Sequence, residues 1–376
     1  MNITGIETKP LRIPYRVPYH WSQGVLEAAE VVLVCVHTDE GITGYGECMS
    51  TASADPITHL LRAAAPLFVG HRPFEIDRLM RSAYQFLFAA RGNCSAPRFG
   101  ALVLSGLDMA LWDLAGKASG RAVHELLGGA VRDSIQYFGF PQGNTPEELS
   151  RDAKRLSDEG RDVIYVKIGR SESLDIEIVK NVRLSIGGKR LRVDANEAWD
   201  VLTARRMLEA LAPFDVEFVE QPTKSDSLSV LQQVRDSSPI PIAADQLVFT
   251  PEEAFEVCRR GAADLIVLGL HETGGVGRFR KAAAIAEAAG INVCLHGLYE
   301  TGVTTTAVNH VGATVSNLDD ANQYMNDLLM EDIITSPDLR LQSGKLPVLC
   351  GPGFGFQLDW DAIGRAQAAY AAFHGQ

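Results

Sequence analysis

Asp194, Glu220 and Asp245 each close a short apolar run, and they lie about 25 residues apart. The runs are Leu191-Arg192-Val193, Glu217-Phe218-Val219 and Ile242-Ala243-Ala244. One acidic residue at a strand end is commonly a helix cap or a solvated group. Three in phase, each one β/α unit from the next, point elsewhere, because equal placement at successive strand ends gathers them on one rim of a barrel. Converging carboxylate oxygens there suit a hard divalent cation that keeps part of its water shell, Mg2+ first and Mn2+ second. Asn196 shares the strand face of Asp194 by the period of two. It is a candidate to orient a carboxylate, hold water or touch substrate, against the plainer reading of a turn residue.

Lys167 stands one unit earlier, inside the apolar run 163–168. A lysine there is costly unless it faces a polar centre. Beside a metal and partly desolvated, its pKa is expected to fall, making it a base. The plainer alternative is a lysine that snorkels to solvent. Tyr165 points the same way and is a candidate donor to a substrate carboxylate, or packing. His296 ends the run Asn292-Val293-Cys294-Leu295, where a barrel strand would present it to the same rim. A lone histidine is more often structural, and its position is what favours catalysis. His271 and Glu272 precede Gly274-Gly275 in the next loop back, where the glycines fit either a ligand or a tight turn. Glu300 and Gln323 are further candidates for substrate contact, Gln323 at the end of an eighth strand.

Those residues need elements to position them. From about residue 134, apolar strands at 135–138, 163–168, 190–193, 216–219, 242–244, 265–268 and 293–295 alternate with amphipathic stretches. The stretches at 146–159, 173–185, 202–211, 227–237, 251–260 and 276–289 read as helices. A repeat of this length means a parallel sheet, and seven or eight units favour a closed α/β barrel over an open one. No G-x-G-x-x-G follows the first strand, which weakens a dinucleotide reading. Before residue 128 the chain differs. An apolar run at 31–36, the turn Asp39-Glu40-Gly41 and 42–47 read as a hairpin. The stretch 18–24, with Tyr19, His20 and Trp21, reads as a mobile polar-aromatic loop. Residues 100–119 form a helix apolar enough that it must be buried. The last 40 residues lose the rhythm and are placed back against the N-terminal region.

The composition is that of a globular enzyme: 376 residues, 46% hydrophobic and 22% charged. A net charge of −12 spread along the chain argues against nucleic acid and anionic membrane as partners. Six cysteines without a CxxC pair fit free thiols in a reducing cytoplasm. No secretory leader or membrane span is expected.

Taken together these residues resemble the enolase superfamily in its mandelate racemase/muconate lactonizing branch. Ser105-Gly106-Leu107-Asp108-Met109-Ala110-Leu111-Trp112-Asp113-Leu114-Ala115-Gly116-Lys117 is similar to the family's helix signature. Val193-Asp194-Ala195-Asn196 and Val219-Glu220-Gln221-Pro222 are similar to its second signature. The resemblance implies a modified TIM-type (β/α)7β barrel at 129–335. It implies an α+β capping domain at 1–128, to which 336–376 returns. It implies Asp194, Glu220 and Asp245 as Mg2+ ligands, and Lys167, the second lysine of the K-x-K motif, as acid/base residue. Loops near 19–24 and 49–51 would then close over the substrate, with Tyr19, His20 and Trp21 touching it. Homo-oligomers from dimer to octamer are usual in the family.

The departures bear on the reaction. Tyr165 stands where the first lysine of K-x-K would be, Gly269 where the sixth strand would carry a lysine or aspartate, and Gln246 where an acid follows the third ligand. His296 matches the racemase-type histidine but lacks its aspartate, for which Glu300 or His271 are the candidate substitutes. One base, Lys167, serves cycloisomerisation or β-elimination of a small carboxylate through an ene-diolate. That reading is favoured over racemisation by Lys167 and His296 together. A non-catalytic binder on the same scaffold and an unrelated phosphate-binding barrel are the readings of other classes. Residues 297–306 are a poor match to the glycine-rich loop the latter needs.

Overall fold

Residues 31 to 36 are all buried, and their period of two divides them between two cores. Val31, Leu33 and Cys35 join the large core that runs through the barrel and the tail. Val32, Val34 and Val36 join a smaller core with the N-terminal helices. The computed structural model describes residues 1–22, 24–50, 53–89 and 97–375. Gln23, Thr51 and Cys94, which fall within the loops and cysteines named above, lie outside the described residues.

Strands β1 (Ile3–Trp21), β2 (Gly24–Thr38) and β3 (Thr43–Met49) form an antiparallel sheet in that order. The expected loop at 18–24 is corrected here. Tyr19, His20 and Trp21 continue β1 and pair with Leu26, Val25 and Gly24. The register shifts between Pro14 and Tyr19, where Pro14 and Pro18 lack the N–H a continuous ladder needs. Buried Tyr19 anchors the far end. Helices α1 (Asp55–Ala64), α2 (Ile76–Tyr84), α3 (Pro97–Ser119) and α4 (Val123–Leu126) follow. Within α3, the window at 99–119 is apolar enough to cross a membrane, but 89% of it is buried inside the fold.

After β4 (Ser134–Gln136), six strands form one parallel sheet in chain order: β5 (Val163–Lys167), β6 (Arg190–Asp194), β7 (Val216–Glu220), β8 (Ile242–Ala244), β9 (Leu265–Leu268) and β10 (Asn292–Leu295). Backbone hydrogen bonds curl it shut. Gly139 N donates to Val163 O at 2.8 Å, and Tyr165 N to Gly139 O at 2.9 Å. On the other edge, Val293 N donates to Asn317 O and Phe138 N to Asn322 O, each at 3.0 Å. Residues 135–139 and 318–323 are therefore the first and eighth staves. Helices α5 (Pro146–Asp158), α6 (Glu172–Ile186), α7 (Val201–Leu211), α8 (Leu228–Ser237), α9 (Pro251–Arg260), the short α10 (Leu270–Thr273) with α11 (Val276–Ala288), and α12 (Gly302–Gly312) lie between the staves. This is an α/β barrel with an N-terminal cap. The tail is shared: β11 (Ile334–Ser336) pairs with β13 (Gln357–Leu358), β12 (Lys345–Pro347) pairs with β4, and α13 (Trp360–His374) packs on β1.

The motif on α3 is a clamp. Asp113 accepts from Tyr45 N (2.9 Å) on β3, Phe354 N (3.0 Å) in the tail and Lys117 Nζ (2.5 Å). Buried Asp108 faces the first turn of α11, with Gly277 N at 3.4 Å. β3 approaches α3 closely enough that an added Cβ on Gly46 would lie 2.7 Å from Ala110 N and nearer still to the Gly106 carbonyl oxygen. Both neighbours are backbone, so nothing can swing aside. Gly46→Ala should lower the urea midpoint, by about 1–3 kcal/mol or more in unfolding free energy.

A second clamp carries a titratable group. Glu47, wholly buried at the end of β3, accepts from Thr301 N (3.0 Å), Thr304 Oγ1 (2.8 Å) and the Thr301 hydroxyl at the start of α12. Burial pushes its carboxyl up to about 7 even though these donors favour the charge, and Asp332 adds to the rise. His271 reaches the cluster through Thr304, and Glu300 faces it from the same loop. The folded protein thus holds this proton more tightly than the unfolded chain. That contribution is complete below the unfolded value of 4.5 and is lost as pH rises through about 7. Its size is about 3 kcal/mol. Glu47→Gln should flatten the stability profile between about pH 5 and pH 8 by that order, read from urea melts at both ends.

Candidate active site

Register sets the site. Lys167 pairs with Asp194 across β5 and β6, and Asp194 with Glu220 across β6 and β7. Their side chains therefore stand abreast at the C-terminal ends of adjacent staves. Glu220 pairs with Ala243, which carries Asp245 just beyond the end of β8. All three carboxylates are buried, and one oxygen from each lies within 4.8 Å of the others.

Each is held differently. Asp194 accepts from Lys167 Nζ, from Tyr165 OH at 2.6 Å, and from Asn196 N at 2.6 Å and Nδ2 at 3.2 Å. Asn196 has a φ of 49°, a turn that brings its own N–H back onto Asp194. Glu220 Oε1 lies 2.9 Å from Tyr165 OH. Asp245 is fixed through its backbone, where its N–H donates to Gln221 Oε1 at 3.0 Å. Both Asp245 carboxylate oxygens and Asn196 Oδ1 are buried without a hydrogen-bond partner. Buried oxygens left without a hydrogen bond cost free energy, and those of Asp245, beside converging oxygens of Asp194 and Glu220, suit an oxygen-seeking cation. Burial pushes Asp245 up to about 7, and burial together with Asp194 and Asp245 drives Glu220 well above its usual range. The cluster needs positive charge to stay ionised.

Two cationic groups flank this arc. Lys167 lies at its Asp194 end. The expected fall in its pKa belongs to a lysine beside a divalent ion, and the side chains alone set the opposite balance. Burial does act to lower it, but Asp194, Tyr19 and Glu220 outweigh that and hold the ammonium well above its usual value. At the other end, His296 Nδ1 is 3.3 Å from Asp245 and 2.8 Å from Glu272 Oε2. Burial works against the imidazolium, yet Asp245 and Glu272 push it up to about 10.

Glu272 is the orienter for which Glu300 and His271 were the expected substitutes. The physical reason is Gly269. An added Cβ there would lie 2.5 Å from Glu272 Oε2, so the carboxylate occupies room that a side chain on the sixth stave would take. His271 instead sits between Ser105 Oγ (3.1 Å) and Thr304 Oγ1 (3.2 Å), and burial lowers its pKa to about 3. Glu300 accepts from Leu298 N at 2.7 Å, and burial pushes it up to about 8. Gln323 Oε1 accepts from Gly297 N at 3.2 Å. The last two brace the turn after β10. Tyr165, a candidate donor to a substrate carboxylate or packing, donates to Asp194 and lies beside Glu220, and it stacks on Phe138 with centroids 4.4 Å apart.

The mouth is aromatic. Tyr19 lies edge-on to Phe140 (5.7 Å) and Tyr299 (6.4 Å) and stacks with Trp21 (6.4 Å). Lys167 acts electrostatically on both Tyr19 and Tyr299, which places them beside it. Tyr299 has no signature in the sequence, and the glycine at 269 was the one available signal for Glu272. His20 alternates to the other face of β1 and lines an outer groove. At the tip, Ser22 Oγ donates to Asn196 O at 3.2 Å, so the hairpin rests on the metal-site rim.

A capped barrel with three carboxylates on one rim, flanked by an amine and an imidazole, defines a metal-dependent isomerase of the enolase type. Comparison with known proteins makes this specific. Residues 4–128 match the mandelate racemase/muconate lactonizing enzyme N-terminal domain, and residues 148–362 match the enolase C-terminal domain-like family. The chain is 31% identical to muconate cycloisomerase 1 of Rhodococcus opacus, over 96% of this chain and 98% of that one. It is 32% identical to the L-Ala-D/L-Glu epimerase of Bacillus subtilis, over 85% and 87%. The dipeptide epimerase of Cytophaga hutchinsonii, solved with Mg and D-Ala-L-Val, superposes with a TM-score of 0.90 at 26% identity, over 97% and 98%. The chain belongs to the mandelate racemase/muconate lactonizing enzyme family of the enolase superfamily.

Metal occupancy should show in stability. Adding Mg2+ to chelator-treated protein should raise the melting temperature, with a gain of about 2.7 kcal/mol at a hundredfold excess over Kd. Asp245→Asn should abolish most of that gain in calorimetry, while melting normally without metal.

Proposed function

We propose that this protein is a Mg2+-dependent isomerase that removes the proton α to a substrate carboxylate with Lys167 and returns it with His296, or the reverse. The observation that carries this reading is the 2.8 Å contact between Glu272 and His296 Nδ1. The preference for a single base rested on a histidine without an orienter, and Glu272 removes that ground. Asp194, Glu220 and Asp245 would hold the ion, all through oxygen, which fits Mg2+ ahead of Mn2+. Bound there, it would supply positive charge to the substrate carboxylate as the α-carbon gives up its proton.

The side chains do the rest. Lys167 projects from one end of the arc and can take or give a proton at Nζ. Glu272 holds His296 through Nδ1, which leaves Nε2 as the nitrogen for transfer. Among the described residues, Nε2 has no hydrogen-bond partner. Tyr19, Trp21, Phe140 and Tyr299 exclude water from the mouth. Lys167 and His296 are the cations of this cluster, because Arg192, in the layer beneath, is spent on Glu217 and Asp319. Among the described residues, a second negative group on the substrate would find no further counter-charge in this cluster. The substrate class is therefore an α-substituted monocarboxylate with an apolar or ring-bearing distal part. The second reading is ring closure or β-elimination, with Lys167 as sole base and His296 donating to the departing group. Relatives named for cycloisomerisation and for epimerisation match at similar identity.

Solvent deuterium separates the two. On a panel of such acids in D2O, Lys167→Met should lose overall turnover by about 100-fold or more. It should still exchange the α-proton of one enantiomer, and His296→Asn that of the other. If His296→Asn leaves exchange and racemisation of both enantiomers intact, the two-face mechanism is wrong.

A further inference from the structure

One proton cannot serve every acceptor around His296. Nδ1 carries a single hydrogen, and Glu272 Oε2, at 2.8 Å, takes it. Asp245 Oδ1 lies 3.3 Å from the same nitrogen, yet neither it nor Asp245 Oδ2 has a hydrogen bond. All three residues are buried, Asp245 with 1% of its surface exposed. Asp194, Glu220 and Asp245 need give only one oxygen each to Mg2+. That leaves one oxygen of Asp245 over, and Oδ1 is the one that faces the imidazole.

Asp245, Glu272 and His296 form a second group of three, with one ligand atom from each within 4.8 Å of the others. The separations from Nδ1, 2.8 and 3.3 Å, are those of neighbouring donors around one ion. Metal–ligand bonds of ~2.0–2.2 Å set adjacent donors about 2.8–3.6 Å apart in octahedral or tetrahedral geometry. An ion in place of the Nδ1 proton therefore satisfies all three donors at once. The donor set differs from the first, being one nitrogen and two oxygens. Imidazole selects a borderline transition ion such as Zn2+, whereas Mg2+ takes oxygen. Three protein donors with a fourth position open to water or substrate is the usual coordination of a reactive Zn2+. Charge agrees: four carboxylates, Lys167 and two divalent ions leave one positive charge, which a bound carboxylate would cancel.

We infer that Asp245, Glu272 and His296 Nδ1 form a second metal site, for Zn2+ or a similar transition ion, which shares Asp245 with the Mg2+ site. The inference stands on these three side chains and not on which face of a substrate His296 serves. Where His296 does return the proton, an ion on Nδ1 replaces the hydrogen through which Glu272 holds the ring. The imidazole then has no proton to give, and zinc switches that face off.

Calorimetric titration of the Mg2+-loaded protein with ZnCl2, in excess Mg2+, tests this. One Zn2+ per chain should bind, and metal analysis after gel filtration should find Mg2+ and Zn2+ together. Zinc-edge X-ray absorption should show one imidazole nitrogen among oxygen neighbours, and no sulfur. Glu272→Gln should weaken Zn2+ binding by at least about 100-fold, the upper end of what loss of an outer hydrogen-bond partner costs a metal site. It should still gain melting temperature from Mg2+. His296→Asn should behave in the same way, and it decides the matter should Glu272→Gln fail to fold. Zn2+ that displaces Mg2+ one for one, or that binds a variant as tightly as the parent, overturns the inference. Absence of Zn2+ binding overturns it as well.

Discussion

Four buried carboxylates share one end of this barrel: Asp194, Glu220, Asp245 and Glu272. Lys167 and an imidazolium at His296 oppose them, which leaves two negative charges. A divalent ion would bring the cluster to neutrality with all four carboxylates ionised, whereas the side chains alone reach it only by holding protons at Glu220 and Asp245. Without the ion, Asp245 has only His296 Nδ1, at 3.3 Å, as a charge partner, and Glu220 resists ionisation. The high lysine pKa belongs to the same imbalance, since an ammonium beside an uncompensated carboxylate has no reason to give up its proton. Basicity at Lys167 and charge at the metal site are one coupled property.

The remainder of the fold keeps that cluster dry and in register. Lys167, Asp194 and Glu220 are neighbours because two parallel pairings place them abreast. The cap is attached to the barrel through buried polar contacts, Glu47 of β3 on Thr301 and Thr304 of α12, and Ser105 and Asp108 of α3 on His271 and Gly277. The α3 signature residues touch neither metal ligand nor base. Their work is to dock β3, the tail and α11, so that the hairpin tip lands on Asn196.

Much of this was legible because period and spacing encode it directly. The three acids at one-unit intervals and the alternating elements marked the barrel, and the nearly all-apolar stretch at 100–119 marked a buried helix. Other features were hidden for definite reasons. The end of β1 read as a loop because Pro14 and Pro18 interrupt its ladder, while its pairing partner supplies the evidence of a strand. The first stave showed as the apolar run at 135–138, but the eighth, at 318–323, closes through backbone bridges and no long apolar run announces it. His271 and Glu272 are adjacent in sequence, and only the turn of α10 decides that one faces Ser105 and the other His296.

The glycine at 269 shows why reading catalysts by position has a limit. Position 269 is empty of chemistry, and by that measure the opposite face is incomplete. A site, however, is defined by the space a group fills. Removing the side chain at 269 opens a volume, and Glu272, three residues on and one turn into α10, extends its carboxylate into it. A longer side chain on a later residue can thus deliver the same charge to the same imidazole. The converse also holds. Any side chain restored at 269 would contend with the Glu272 carboxylate for that volume, and Glu272 would have to swing aside, giving up its hold on His296, to admit it.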